Sequence, residues 1–317
     1  MKHHHKKLTL RRDLNLYQAI ACGVGIIVGA GIYVLLGSAA GVAGNAVWIS
    51  FVISAFLALF TGFSYAELSS IFPKDGSEYV YVEKTFNKKL AFLIGYSTLL
   101  GGAISGAAVS LGFSGYFNAL FNTSYLVPVA VSLLILMAII NLRGIKESAN
   151  LNILLTSIEV IGLIFVIAVS LRFFGSVNYF EAPNGIPGIL SASSLIFFAY
   201  IGFESLVKLS EETKNAKKII PLALISSIFI ATILYILVSL SAVSVLGYQA
   251  LSESKAPLAD VISAAVGEDF SLLLTIIALI STATTTLLII MAVSRVLYGL
   301  GEEIKLFGSG EQIRDIN

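Results

Sequence analysis

The chain has 317 residues, 57% hydrophobic and only 12% charged, with a net charge of +1. A soluble globular domain carries about 25% charged residues, so the composition excludes one and places the chain in a bilayer. The single cysteine, Cys22, excludes an intramolecular disulfide.

The N-terminus carries Lys2, His3, His4, His5, Lys6, Lys7, Arg11 and Arg12, and residues 1–16 read as a solvated cytoplasmic tail. It leads straight into a stretch long enough to span, so no cleavable signal peptide is expected. A spanning helix takes about 20 apolar residues. Eight stretches qualify, at about 17–41, 45–72, 90–120, 126–142, 150–172, 187–210, 218–247 and 270–300. The expected fold class is therefore all-α integral membrane, with eight transmembrane helices.

Orientation follows from the basic residues. With the N-terminus in the cytoplasm, eighteen of the twenty lysines and arginines fall on cytoplasmic segments, and only Arg172 and Lys255 lie outside. That is a strong positive-inside pattern, and it predicts a multi-pass protein of the cell membrane.

The first span reads ACGVGIIVGAGIYVL over residues 21–35, with Gly23, Gly25, Gly29 and Gly31 close together. Each glycine costs about 1 kcal/mol against alanine in a helix interior, so this span is expected to break. Broken helices in a bilayer survive only where their freed backbone groups find partners. The sparse bulk of Gly29-Ala30-Gly31 would let a small ligand with an anionic and a cationic end approach the backbone. The competing reading is a small-residue contact between helices, since Gly25 and Gly29 fit the GxxxG spacing.

Span two ends in Ser64-Tyr65-Ala66-Glu67-Leu68, and Pro73 and Gly76 are expected to stop it at the cytoplasmic face. Residues 77–89 are amphipathic with lysines and predict an interfacial helix. Span three carries Gly101, Gly102, Ser105, Gly106, Ala107 and Ala108, a face suited to close helix packing. A cytoplasmic turn is expected at Asn141-Leu142-Arg143-Gly144-Ile145-Lys146.

Span five contains Glu159, about ten residues from either end. A carboxylate there costs about 2.5 to 3.5 kcal/mol on insertion scales and is a functional candidate by default. It can take up and release a proton, or remain a protonated hydrogen-bond donor to a neighbouring helix. Span six repeats the theme of span one. Gly202 interrupts it, Glu204 follows, and Phe197, Phe198, Tyr200 and Phe203 crowd the interruption. Two interrupted spans, one opening each half of the chain, point to a transporter site at the bilayer midplane. Residues 248–268 read as an external loop with a short helix. Span eight carries Ser281, Thr282, Thr284, Thr285 and Thr286, hydroxyls that either bond back to their own helix or line a path for an ion.

These residues resemble the amino acid–polyamine–organocation permeases, which have the LeuT-like fold. The resemblance runs through Gly29-Ala30-Gly31-Ile32, SYAELSSIFPKDGSEYVY at 64–81, Asn141 to Lys146, FFAYIGFES at 197–205, EETKNAKKIIPLA at 211–223 and Ser294-Arg295-Val296-Leu297-Tyr298. It implies two inverted repeats: a first at 17–172, and a second at 187–300 with only three helices. It implies an amino acid substrate held by the broken helices. The amides around Val28, Gly29, Ala30 and Gly31 would take its carboxylate, in keeping with the anion preference of a helix N-terminus. The carbonyls of Ile27, Phe198, Ala199 and Ile201 would take its ammonium group. Phe198 would act as a lid, Tyr200 and Gly202 would border the site, and Ser105 with Ala108 would leave room for a mid-sized side chain. Glu204 matches a carboxyl linked to proton sensing. Where some proton-coupled members have a lysine in the fifth helix, this chain has Glu159. A deprotonated Glu159 would attract Na⁺ near Ser281 and Thr282, or release a proton as substrate leaves.

Members of the family usually have twelve spans. After Tyr298 the pattern gives way to GLGEEIKLFGSGEQIRDIN, which reads as a divergent tail at 301–317 and suggests truncation. The expected function is a secondary active amino acid permease working by alternating access, proton-coupled or exchanging. The alternatives are a transport-incompetent fragment, a carrier of polyamines or other organic cations, or a Na⁺-coupled transporter. No GxxxxGK[ST], HExxH, GxSxG or Cys/His cluster occurs, so an ATP-driven pump and an enzyme are not expected. Neither is a cofactor, a resident metal or a nucleic-acid partner.

Overall fold

The computed structural model describes residues 14–71, 78–142 and 149–314. Among these the regular structure is helical, apart from one isolated bridge between Leu14 and Thr213. The basic tail up to residue 13 and the turns expected around Pro73–Gly76 and Arg143–Lys146 lie outside the described residues.

Helix α1 (Leu16–Ile27) starts on a reciprocal cap. The Asn15 side chain accepts the Gln18 N–H, and the Gln18 side chain accepts the Asn15 N–H, both at 3.0 Å. Two orphan amides at the helix start are satisfied in this way. Helix α2 (Ala30–Ala43) follows after two residues and ends at Gly44. There φ is +74°, and an added Cβ would stand 2.5 Å from the Glu181 carbonyl oxygen, so both backbone and space require glycine. A single 3-10 turn, Gly44–Ala46, leads into α3 (Val47–Ile71).

A short helix, α4 (Glu78–Thr85), forms within the amphipathic stretch 77–89 and is tied to α3 by the Tyr65 hydroxyl, which donates to Glu78 at 3.0 Å. Helix α5 (Lys88–Phe121) is capped by Asn87 and closed by Asn122 in the left-handed region, which asparagine tolerates. Then come α6 (Leu126–Leu142), α7 (Ala149–Ser170) and α8 (Gly185–Tyr200), with a 3-10 stretch Phe203–Glu212 after α8. Helix α9 (Ala216–Glu253) kinks at Gly247. The short helix expected within 248–268 is α10 (Pro257–Val266), and α11 (Glu268–Arg314) closes the described chain. Helix α11 runs on through most of the tail set apart in the sequence, where Glu, Lys and Leu are ready helix formers.

Among the described residues, six stretches are long and apolar enough to cross a membrane: Ala30–Ile71, Lys88–Phe121, Leu154–Phe173, Gly185–Val207, Ala216–Glu253 and Glu268–Ser294. The first combines α2, the turn and α3. Helix α1 is too short to cross alone because the first span is split, and α6, at 17 residues, falls just short.

Helix α9 is the hub. It packs on α1, α2, α3 and α7, while α2 and α3 also pack on α8. Helices α5, α6 and α11 form a second group joined to α2 through α5 and α11. Exposed apolar side chains such as Phe56 and Phe60 on α3, Leu100 and Ile104 on α5, and Val127 and Val131 on α6 form the faces a lipid would cover.

Candidate functional site at two helix breaks

The first break is a tight turn at Val28, with φ −78° and ψ 56°. The Gly29 N–H reaches back to the Ile27 carbonyl at 2.8 Å, an inverse γ-turn between α1 and α2. The second break follows α8. The Ile201 N–H bonds the Phe198 carbonyl at 3.1 Å, Ile201 is extended, and Gly202 turns with φ +124°. Its amide donates to the Glu204 carboxylate at 2.8 Å, so Glu204 caps the second break locally. A Cβ on Gly202 would lie 2.9 Å from the Ile26 carbonyl oxygen, and one on Gly31 would lie 2.5 Å from the Ala199 Cα. The two breaks therefore lie against each other.

One side chain joins them. The Tyr235 hydroxyl, from α9, donates to the Ile27 carbonyl at 2.7 Å and stands 3.0 Å from the Ala199 carbonyl. Its ring is fully buried between Phe51 and Tyr200. The sequence reading missed Tyr235, since a tyrosine in the apolar run YILVSL carries no local signal of where its hydroxyl lands.

A second group was named in the sequence only as one of a row of hydroxyls. Thr285 Oγ1 accepts the Ala30 N–H at 3.2 Å, supplying the cap that Gly29 lacks. Its neighbours do something else. Thr282, Thr284 and Thr286 bond carbonyls of their own helix at 2.7 to 2.8 Å, the silent use of such hydroxyls.

Glu159 is buried on α7, and its backbone carbonyl accepts the Tyr33 hydroxyl at 3.3 Å. Its carboxyl lies near Ser281 on α11, whose buried Oγ has no hydrogen-bond partner among the described residues. Among the described residues no group of three or more metal-ligating side chains occurs.

The remaining expected site residues are placed less centrally. Phe198 is half-buried and Ile201 is exposed beside the second break. The Tyr200 hydroxyl is taken up by the Phe51 carbonyl at 3.2 Å. Ser105 is half-buried on α5, but that helix meets α2 further along its length. There Gly112 lies against Val34, and the Tyr116 hydroxyl donates to the Tyr33 carbonyl at 3.0 Å. The glycines of the first span also have neighbours where a Cβ would be: Ser227 at Gly23, Thr156 at Gly25, Thr285 at Gly29 and Ala199 at Gly31. Close helix packing is thus one use of all four.

Known proteins resemble this chain over most of its length. The amino acid permease family model matches residues 14–305. A branched-chain amino acid permease of Bacillus subtilis, BcaP, is 32% identical over 95% of this chain and 69% of its own length. A methylthioribose transporter of the same organism is 33% identical over 78% of this chain and 58% of its own. The cationic amino acid transporter 9 of Arabidopsis thaliana, a chloroplastic protein, is 30% identical over 93% of this chain and 56% of its own. The chain thus spans between about half and about two thirds of these relatives. With broken helices around a shared centre and a match along nearly its full length, the chain belongs to the amino acid permease family, whose named members here are transporters and not enzymes.

Proposed function

We propose that the two breaks form the amino acid site of a secondary transporter with a LeuT-like arrangement of eight spans, working by alternating access. The observation that carries this reading is the adjacency of the two breaks. The start of α2 offers amides to a carboxylate. The carbonyls of Ile27 and Ala199, 2.7 and 3.0 Å from one hydroxyl, converge as an ammonium group requires. Backbone recognition of both ends suits amino acids as a class. Relatives named for branched-chain and for cationic amino acids point the same way.

Residues 17–172 and 187–300 then form two repeats, the second with three helices, in a cell membrane with the N-terminus cytoplasmic. Glu159 facing Ser281 supports coupling to a proton, with Na⁺ at the same place as the second option. Glu204, bound to the Gly202 amide, supports a role in holding the second break, through which protonation would act on the site.

Uptake of radiolabelled L-leucine and L-arginine into proteoliposomes tests the reading, with and without an inward proton gradient. Saturable uptake of either supports it. Absence of both uptake and saturable binding for the two amino acids overturns it.

A further inference from the structure

We propose that the Tyr235 hydroxyl stands in for the substrate's ammonium group: it clasps the two breaks together and gives up both carbonyls when an amino acid binds. This rests on the reading of the breaks as an amino acid site. The Ile27 and Ala199 carbonyls are the acceptors that an ammonium group would use, and both already converge on this one hydroxyl, at 2.7 and 3.0 Å. A hydroxyl has a single proton to donate, and the Ile27 carbonyl also accepts the Gly29 N–H at 2.8 Å, so of the two carbonyls that of Ala199 is the less well served. An ammonium group has three and serves both better, with charge assistance. The exchange makes the site selective. A ligand lacking the ammonium group cannot take over the carbonyls and leaves the clasp closed. The ring is wedged between Phe51 and Tyr200, at 5.6 and 5.3 Å between ring centroids, so removal of the hydroxyl leaves the packing in place.

The test is Tyr235→Phe in the full chain, in detergent or nanodiscs, with two readouts. The first needs no ligand. Cys22 is the only cysteine, lies 4% exposed on α1, and is therefore a reporter of how firmly α1 is held. Its alkylation by N-ethylmaleimide should be about fivefold faster in Tyr235→Phe than in the wild type, the size expected from loss of one net hydrogen bond. An unchanged rate overturns the clasp.

The second readout is binding of L-leucine, L-arginine and 4-methylpentanoate, which is leucine without its amino group. Tyr235→Phe should bind at least one of the amino acids about fivefold more tightly, because nothing remains to be displaced. It should bind 4-methylpentanoate no better than the wild type does. Unchanged or weaker amino acid binding overturns the surrogate role while the amino acid site stands. If the wild type and the variant both bind no amino acid, the site reading falls and the surrogate role falls with it; the alkylation rates then judge only the clasp.

Discussion

Thr285 on α11 accepts the amide of Ala30, 255 residues away in sequence, at 3.2 Å, and so caps a helix that begins on glycine. The side chain is a polar link between α11 and the first break, and it ties the two helix groups of the molecule together. Thr285→Val keeps the shape and removes the acceptor. The amide is left without its partner, which costs about 1 to 3 kcal/mol for a buried group. Thermal unfolding in detergent should show a lower midpoint. If the substrate carboxylate takes the same amides, saturating amino acid should raise the midpoint more in the variant than in the wild type. An equal midpoint without ligand would remove Thr285 from the account of the break.

Gly31 and Gly101 test the packing use of glycine against its absence. A Cβ at Gly31 would lie 2.5 Å from the Ala199 Cα, a backbone atom that cannot step aside, whereas one at Gly101 would meet nothing within 4 Å. Gly31→Ala should therefore destabilise by about 1 to 3 kcal/mol, the usual range for overpacking, and should weaken amino acid binding by separating α2 from α8. Gly101→Ala should be neutral or stabilise by about 0.5 to 1 kcal/mol through helix propensity. Size-exclusion profiles after graded heating rank the two. The reverse ranking would mean that α2 and α8 separate without cost.

How much of this was legible in the sequence depends on the range of the signal. The interruptions at Gly29 and Gly202 announce themselves locally, because glycine and adjacent polar groups inside an apolar run oppose a helix, and both breaks are where those residues stand. What closes the breaks was not legible. Tyr235 and Thr285 reach them across 208 and 255 residues. A hydroxyl in an apolar helix reads the same whether it bonds its own backbone, as Thr282 does, or another helix, as Thr285 does. The glycines carried a similar ambiguity. The sequence shows missing bulk, and only the fold shows that Ser227, Thr156, Thr285 and Ala199 fill the space.

Glu159 tests the coupling. It is 5% exposed on a spanning helix, with the Ser281 hydroxyl before its carboxyl. Glu159→Gln keeps the shape and cannot titrate. If the carboxyl carries the coupled proton, wild-type uptake into proteoliposomes falls as the external pH rises, and Glu159→Gln flattens that dependence while exchange of internal for external amino acid continues. A Na⁺ site predicts instead that uptake requires Na⁺ and that Ser281→Ala raises the Na⁺ concentration needed. A wild-type pH profile retained in Glu159→Gln excludes this carboxyl from proton coupling.

The far side of the bundle makes the last prediction. Asn45 is 2% exposed at the turn between α2 and α3 and uses both ends of its side chain. Its amide nitrogen donates to the Glu181 carboxylate at 2.8 Å, and its oxygen accepts the Tyr248 N–H at 3.1 Å, just past the kink at Gly247. The Ala46 N–H adds a bond to the Glu181 carbonyl at 3.1 Å, and Trp48 Nε1 donates to the Tyr179 carbonyl at 3.0 Å. The connection between α7 and α8 is thereby strapped to the turn between α2 and α3, which in turn is bonded to α9. Asn45→Asp keeps the acceptor for Tyr248 but sets a carboxylate against that of Glu181. Two like charges in a half-buried place repel, so the variant should lose stability at neutral pH and regain it as acid neutralises one of the pair. Asn45→Ala removes both bonds and should lose stability at every pH, by about 1 to 3 kcal/mol. Unfolding midpoints of the two variants between about pH 4 and 8 separate these outcomes. Parallel curves for the two would show that the strap is held by packing and not by the Asn45 side chain.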